Sequence, residues 1–184
     1  GRLAAELDQQ LPEGAPSTFL VDVQVDQWPE LESMLREAGA HGVEAVPLIM
    51  ARLRSVDGVP VAELAEEPGR EEGWALTREQ RLTVAGELAP DNELVAGRWF
   101  TDEVADEVSV EEEYARSIGA GVGSVVGFDI QGVPVRLRVT SLRRVEWRSF
   151  NINFFLVVEP GVLDGAPQSR LAAADVPAGV EPQL

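Results

Sequence analysis

Residues 124–139 read Ser-Val-Val-Gly-Phe-Asp-Ile-Gln-Gly-Val-Pro-Val-Arg-Leu-Arg-Val and carry the clearest fold signal in the chain. On both sides of Gln131-Gly132, apolar side chains recur at every second position, which is the period of a β-strand. Two such runs joined by a glycine-containing pair are typical of a hairpin. The sequence therefore predicts a β-hairpin whose second strand continues past Thr140.

Downstream of this hairpin lies the densest apolar stretch of the chain, which ends in Phe154-Phe-Leu-Val-Val158. Continuous apolarity is typical of a central strand that is buried on both faces. We therefore predict a central strand from about Asn153 to Val158. Beyond Pro160 the residues are mainly Pro, Gly, Ala and Gln without a clear period, so residues 164–184 are interpreted as a linker or an incomplete segment.

Upstream of the hairpin, residues 17–25 alternate as a strand, and residues 27–38 repeat apolar side chains at helical spacing. Asp26 is expected to cap this helix, with Pro29 in its first turn and Gly39 just past its end. A long strand is predicted from Val43 to the turn signal Asp57-Gly58.

The region between the Asp57-Gly58 turn and the Gln131-Gly132 turn combines short helices and strands. A short helix or turn and an acidic loop are predicted from Val61 to Gly73, followed by two short strands between Leu76 and Phe100. Ser109 is expected to cap a helix that begins at Val110, with Glu112 as its capping-box partner.

The chain is strongly acidic, with 32 Asp and Glu against 15 basic residues and a formal net charge of −17. This charge repels nucleic-acid phosphates, so no nucleic acid is expected as a partner. All basic residues except the single histidine are arginines. Salt adaptation and a GC-rich genome both favour this composition, and the sequence does not separate them.

No residue set matches a known catalytic or metal-binding pattern. Cysteine is absent, and His41 is the single histidine, so thiolate and histidine-cluster metal sites are not expected. The glycine-rich run 119–127 lacks the third glycine of a dinucleotide fingerprint, since Ser124 occupies that position. Asp102, Glu103, Asp106 and Glu107 do not have EF-hand spacing. We therefore predict no catalytic residue, no metal and no cofactor.

One cluster combines basic and aromatic side chains: Arg143, Arg144, Trp147, Arg148 and Phe150. These arginines are expected either to pair with nearby acids while the aromatics pack in the core, or to form a contact surface for a partner or an anionic substrate. We carry the five residues forward as the candidate contact site.

Several motifs together resemble a known family: Phe19-Leu-Val-Asp-Val-Gln24, Met50-Ala-Arg-Leu53 with Asp57-Gly58, Leu94-Val-Ala-Gly-Arg-Trp99, and Ser141-Leu-Arg-Arg-Val-Glu-Trp147 with Asn153-Phe-Phe155. The chain resembles the extracytoplasmic core domain of the FtsX-like permeases of ABC transporters, specifically the MacB-related, YbbP-like members. The resemblance runs from about Thr18 to Pro167.

This resemblance implies an α+β fold, in which a mixed βαβ-type subdomain is interrupted by a smaller, mostly β inserted subdomain. Residues 17–59 and 139–163 would form the first subdomain, residues 60–138 the insert, and residues 164–184 a linker or incomplete segment. The family's first subdomain ends with another helix and strand, so we expect the chain to be C-terminally truncated.

The resemblance also implies a function. The domain would lie in the periplasm or on the outer face of the cytoplasmic membrane, between transmembrane helices of the same polypeptide. A cytoplasmic ATPase subunit would be the partner of the parent permease, and the domain would transmit ATP-driven motion or contact a hydrophobic, lipid-like substrate. The alternative is an autonomous extracytoplasmic module that binds a small ligand, and self-association of the fragment is also expected.

Overall fold

The computed structural model describes residues 16–67, 74–149 and 151–178, with the side chain of Trp74 left undescribed. The chain divides into two compact units. The first unit comprises Gly1–Val46, Glu146–Asn153 and Arg170–Leu184, and the second comprises Pro47–Val145 and Phe154–Ser169. Each unit is therefore assembled from segments that are distant in sequence.

The first unit contains strand β1 (Thr18–Val23), helix α1 (Trp28–Glu37), the start of strand β2 (His41–Val56), a 3-10 turn (Trp147–Ser149) and most of strand β10 (Ser169–Asp175). Strands β1 and β10 pair antiparallel, with Phe19 opposite Ala173. A small apolar core forms where Leu31 and Leu35 of α1 pack with Val23 and Ala174. This core fixes α1 on one face of the strands.

Helix α1 confirms the predicted helix but not its predicted cap. Gln27 occupies the N-cap position and makes no capping bond through its side chain, so Asp26 does not cap the helix. Pro29 lies in the first turn, as expected. Past the end, Gly39 has φ of 85°, and the amide of Ala40 donates to the carbonyl of Leu35, which closes the helix in the usual glycine-dependent way.

Strand β10 corrects the interpretation of residues 164–184 as a linker or incomplete segment. Residues 169–175 read Ser-Arg-Leu-Ala-Ala-Ala-Asp, which lacks the β-branched residues typical of strands. Pairing with β1 nevertheless places them in a sheet, and Ala172, Ala173 and Ala174 are buried. Tertiary pairing has here overridden local propensity.

The second unit contains the rest of β2, then β3 (Val59–Pro60), α2 (Val61–Leu64), α3 (Trp74–Thr77), β4 (Glu79–Val84), β5 (Asn92–Gly97), β6 (Glu107–Glu111), α4 (Glu112–Ile118), β7 (Val125–Ile130), β8 (Val133–Val145) and β9 (Leu156–Val158). Strand β9 is buried and lies between β4, to which it is parallel, and β6, to which it is antiparallel. The predicted central strand is confirmed, although it is shorter than expected.

Strand pairing in the second unit closes on itself. The order β2, β4, β9, β6, β8 and β7 returns to β2, because β7 pairs antiparallel with both β8 and β2. Inside this ring lies a large apolar cluster that includes Leu82, Phe128, Leu137 and Leu156. Closure satisfies the backbone groups of each strand on both sides and leaves β5, which pairs with β8, outside the ring.

Both predicted tight turns are present in the second unit. Asp57-Gly58 joins β2 to β3, and Gln131-Gly132 joins β7 to β8. All four residues have positive φ, the conformation of a type I′ hairpin turn. The hairpin of residues 124–139 and the long strand that ends at Val56 are therefore confirmed.

The predicted helix cap at Ser109 is wrong. Ser109 lies in the middle of strand β6, whose five residues are all buried. Helix α4 begins three residues later, and Glu111 is its N-cap, accepting hydrogen bonds from the amides of Glu113 and Tyr114 at 3.1 and 2.7 Å. Alternating Glu-Val-Ser-Val-Glu was misread because its polar residues are buried rather than placed at a helix end.

These elements confirm the α+β class, with strands predominating. The two compact units are discontinuous, but their boundaries at Val46, Val145, Asn153 and Ser169 differ from the subdomain boundaries implied by the resemblance. None of the helices formed by the described residues has the length and apolarity that crossing a membrane requires.

Candidate functional site: the Arg143 network and neighbouring surfaces

Arg143 of the candidate contact site lies inside the second unit and is 1% exposed. Its Nε donates to Ser109 Oγ at 2.9 Å, and its Nη2 donates to the carbonyls of Phe154 and Phe155 at 2.9 and 3.0 Å. Nη1 donates to Asn92 Oδ1. The guanidinium thus ties β8 to β6, β5 and the segment that enters β9.

Strand register explains why this arginine is buried. In the parallel pair β6/β8, Ser109 lies opposite Ser141 and Glu111 lies opposite Arg143. The register shifts between Val108 and Ser109, because Val108 lies opposite Val139 and Ser109 lies opposite Ser141. The face that carries Ser109, Ser141 and Arg143 is therefore a buried polar layer, and Ser141 Oγ donates to Ser109 Oγ at 2.6 Å within it.

Burial has an electrostatic cost for Arg143. Removal from water lowers the pKa of the guanidinium from its ordinary value to about 10, and the nearby carboxylates of Glu111 and Asp91 oppose this shift. The Arg143 side chain donates hydrogen bonds to neutral oxygens of Ser109, Asn92, Phe154 and Phe155, and these bonds replace those lost with water. Such a network organises the fold and leaves the guanidinium no surface to offer a ligand.

The neighbouring candidate residues have different surroundings. Arg144 is exposed in the second unit, and its Nε donates to Glu112 Oε1 at 3.0 Å. This hydrogen bond raises the pKa of Arg144. Trp147 is 47% exposed in the 3-10 turn of the first unit, where Arg148 is also exposed. Phe150 lies outside the described residues.

A second charged group surrounds Glu107 in the second unit. Arg98 donates to both carboxylate oxygens of Glu107, at 3.1 and 2.6 Å, although only Glu107 is buried. The hydrogen bond to Glu107 raises the pKa of Arg98. Glu159 is 1% exposed, and its Oε1 accepts hydrogen bonds from the backbone amides of Ala105 and Glu107 at 2.7 and 2.9 Å. This arrangement fixes the loop that leads into β6.

The acids considered for cation binding do not converge. Glu107 is held by Arg98, whereas Asp102, Glu103 and Asp106 are exposed. Within the described ranges, no group of three or more His, Cys, Asp or Glu side chains is placed to hold a metal ion. His41 is exposed in the first unit, with Nε2 at 3.6 Å from Asp175 Oδ2.

A cleft of about 460 Å³ in the second unit was not anticipated from the sequence. Arg52, Arg54 and Arg78 line it together with apolar residues of β2, α2 and α3. Arg52 and Arg54 are two apart on a strand, so the period-two pattern could have placed them on one face. Their meeting with Arg78 depends on tertiary structure and had no local signal.

Comparisons with known proteins give one sequence match and one weaker structural likeness. No protein-family model matches the chain. The chain is 35% identical over 173 residues to the uncharacterized ABC transporter permease YbbP of Escherichia coli (strain K12), and the match covers 94% of this chain and 20% of that protein. This match confirms the resemblance to YbbP-like permeases, of whose length the chain spans about a fifth.

The structural likeness is to the crystal structure of a domain assigned to a permease protein from Porphyromonas gingivalis. It covers 84% of this chain and 68% of the other, with 14% sequence identity and a TM-score of 0.40. A likeness at this level does not establish a shared fold.

Proposed function

We propose that this chain, which is related over 94% of its length to a segment of an ABC transporter permease, is a non-catalytic extracytoplasmic domain of such a permease. The sequence match is the observation that carries the proposal. On this view the domain lies on the outer side of the cytoplasmic membrane, its parent supplies the transmembrane helices, and a cytoplasmic ATPase subunit drives the parent.

Within such a permease the domain would transmit ATP-driven conformational change or contact a hydrophobic, lipid-like substrate or partner. Transmission of conformational change requires parts that move as bodies, because packed cores resist small continuous deformation. The buried Arg143 network and the closed strand ring give the second unit such a packed interior.

The location can be tested in the full-length parent protein by cysteine labelling, since this segment contains no cysteine of its own. Arg116→Cys places a thiol on the exposed side of α4, and the adjacent Ala115→Cys places one at a position that is 1% exposed. With other parent cysteines removed, a membrane-impermeant maleimide should label position 116 in intact cells. Position 115 should react only after denaturation. Labelling of position 116 only in permeabilised cells would contradict the extracytoplasmic location.

The proposed contact residues are those with exposed side chains, Arg144, Trp147 and Arg148, whereas Arg143 is assigned to the fold. Exposed tryptophan and arginine are enriched at energetically important interface positions. A photo-crosslinking amino acid at position 147 of the parent protein should capture another chain or a segment of the parent. The same group at Val133, which is 60% exposed, serves as the control. Equal crosslinking at both positions would remove Trp147 from the contact surface.

The proposal that the domain is non-catalytic predicts no ATP or ester hydrolysis by the purified chain. The sequence has neither a phosphate-binding loop nor a serine with a base. Turnover that follows this chain through purification would contradict the proposal.

A further inference from the structure

The cleft in the second unit is unusual in its charge. Arg52, Arg54 and Arg78 line it, and none of the described residues that line it is acidic. The chain as a whole carries 32 acidic residues against 15 arginines, so arginines have an excess of acids to pair with. Among the described residues, these three guanidiniums nevertheless form no ion pair and no side-chain hydrogen bond. Three guanidiniums therefore meet at one cleft without an ion pair to a described residue, although Glu79 and Asp129 lie in register with Arg52.

A β-bulge in β2 shapes one wall of the cleft. Leu53 lies opposite Phe128 and Ser55 lies opposite the preceding residue, Gly127, so Arg54 is the extra residue of the bulged strand. Because of this bulge, Leu53 and Val56 are both buried in the same core although they are three positions apart. The strand therefore buries its apolar side chains while Arg54 stays at the cleft.

The opposite wall is held by buried side chains. Gln80 is 5% exposed, and its Nε2 donates to the carbonyls of Arg78 and Ala75 at 2.9 and 3.2 Å. Tyr114, stacked on Phe155, approaches the Ala75 carbonyl from the interior. These contacts fix the backbone that presents Arg78, so the positive groups stand on ordered elements rather than on a free loop.

The remaining lining is apolar. Pro60, Val61 and Leu76 contribute to the cleft, and Leu76 is 3% exposed. The volume of the cleft lies within the range of about 300–1,000 Å³ that is usual for small-molecule sites. Arginine suits carboxylate and phosphate because its planar donors match their oxygens.

We propose that this cleft binds an amphiphile with an anionic carboxylate or phosphate head at the three arginines and an apolar body against Pro60 and Val61. The inference is independent of the proposed function, since it rests on the cleft alone and names a site outside the candidate contact residues.

Octyl phosphate is a suitable probe, measured by calorimetry with the 184-residue chain. The double variant Arg54→Gln/Arg78→Gln should weaken binding at least about tenfold, because two charge-assisted contacts are lost. Arg52 is left in place because it is paired with Glu79 on one neighbouring strand and with Asp129 on the other. Its removal would leave these two negative charges without a positive charge between them. Arg116→Gln makes a charge change outside the cleft and should leave the affinity unchanged. Circular dichroism and thermal melts must show both variants folded.

Each control probe removes one half of the ligand. Inorganic phosphate and octyl glucoside should each bind at least about tenfold more weakly than octyl phosphate if head and body both contribute. Equal affinity for either control overturns the proposed ligand class. Unchanged binding by the double variant, or equal weakening by Arg116→Gln, overturns the site.

A sedimentation assay with phosphatidylglycerol vesicles identifies the source of the head group. Co-sedimentation that the double variant abolishes supports a membrane lipid as the ligand. Binding of octyl phosphate without co-sedimentation supports a soluble amphiphile in the same cleft.

Discussion

Arg143 donates a hydrogen bond through Nε to Ser109 Oγ at 2.9 Å, and both residues are fully buried on neighbouring parallel strands. A guanidinium at such a position holds strands in one register, because a shift of one residue would turn it to the opposite face. The hydrogen bond from Arg143 therefore stabilises the observed register between β6 and β8.

Replacement of Arg143 by methionine should destabilise the chain by about 3 kcal/mol, because the Phe154 and Phe155 carbonyls and Ser109 would lose their buried donor. Arg144→Met is the matched control on the next residue. Its exposed pair with Glu112 should contribute much less, because water screens the two charges. Urea denaturation of both variants measures the difference. Equal losses would show that burial of Arg143 does not stabilise the register.

Glu111 should matter more than its neighbour Glu113, although both are acidic residues at the start of α4. Glu111→Ala removes a buried N-cap that accepts two amides, at an expected cost of about 2 kcal/mol. Glu113→Ala removes only an exposed charge near the helix start and should cost less than about 1 kcal/mol. Thermal melts should rank the two variants in this order; the reverse ranking would contradict the capping role.

The sequence could not predict the buried positions of Arg143 and Ser109, because burial depends on what covers each face of a strand. Alternation correctly placed the hairpin, the long strand before Asp57-Gly58 and the central apolar strand. The same alternation puts Arg143 and Arg144 on opposite faces, but it does not say which face is covered. Ser109 was misread as a cap because a polar residue in a buried layer has the same local pattern as a polar residue at a helix start.

Gly97 should tolerate no side chain. A Cβ built there would lie 2.1 Å from the Thr140 carbonyl oxygen, and φ at this position is 74°. Gly97→Ala should therefore cost at least about 2 kcal/mol by straining β5 or separating it from β8. At Gly121 a Cβ meets nothing within 4 Å, so Gly121→Ala should change stability by less than about 1 kcal/mol. Denaturation midpoints test the pair, and similar midpoints would contradict the close β5/β8 approach.

Tyr114 is the single tyrosine, and burial raises its pKa above the ordinary value of 10.0. The unfolded chain releases the phenol proton near pH 10 while the folded chain retains it, so this group's contribution to stability is complete below that pH and falls above it. Arg143, with its lowered pKa of about 10, acts in the opposite direction there. Comparison with Tyr114→Phe isolates the tyrosine.

Between about pH 9 and pH 11, the stability of the native chain relative to Tyr114→Phe should decrease. The phenolate absorbance should also appear together with unfolding rather than with a midpoint of 10 in the folded state. A constant stability difference across this range would show that the phenol titrates as it does in water.

Salt should stabilise the chain. The net charge of −17 makes the compact state repel itself, and the screening length falls from about 10 Å at 0.1 M to about 3 Å at 1 M salt. The melting temperature should therefore rise with NaCl over this range. A flat or falling curve would favour genome composition over salt adaptation as the reason for the absent lysines.

The pairing of β1 with β10 delays the folding of the first unit during synthesis, because β1 must wait for its partner strand. Ser17 and Val176 exchange hydrogen bonds although they are 159 positions apart in the chain. At about 5–20 residues per second, a ribosome needs roughly ten to thirty seconds to supply the second strand after the first has emerged. Throughout that interval Phe19 belongs to a strand without its partner. The ring of the second unit also waits for β9 (Leu156–Val158), which emerges only shortly before β10 (Ser169–Asp175). The emergence of β10, rather than that of β1, is therefore the event that permits the first unit to complete its sheet.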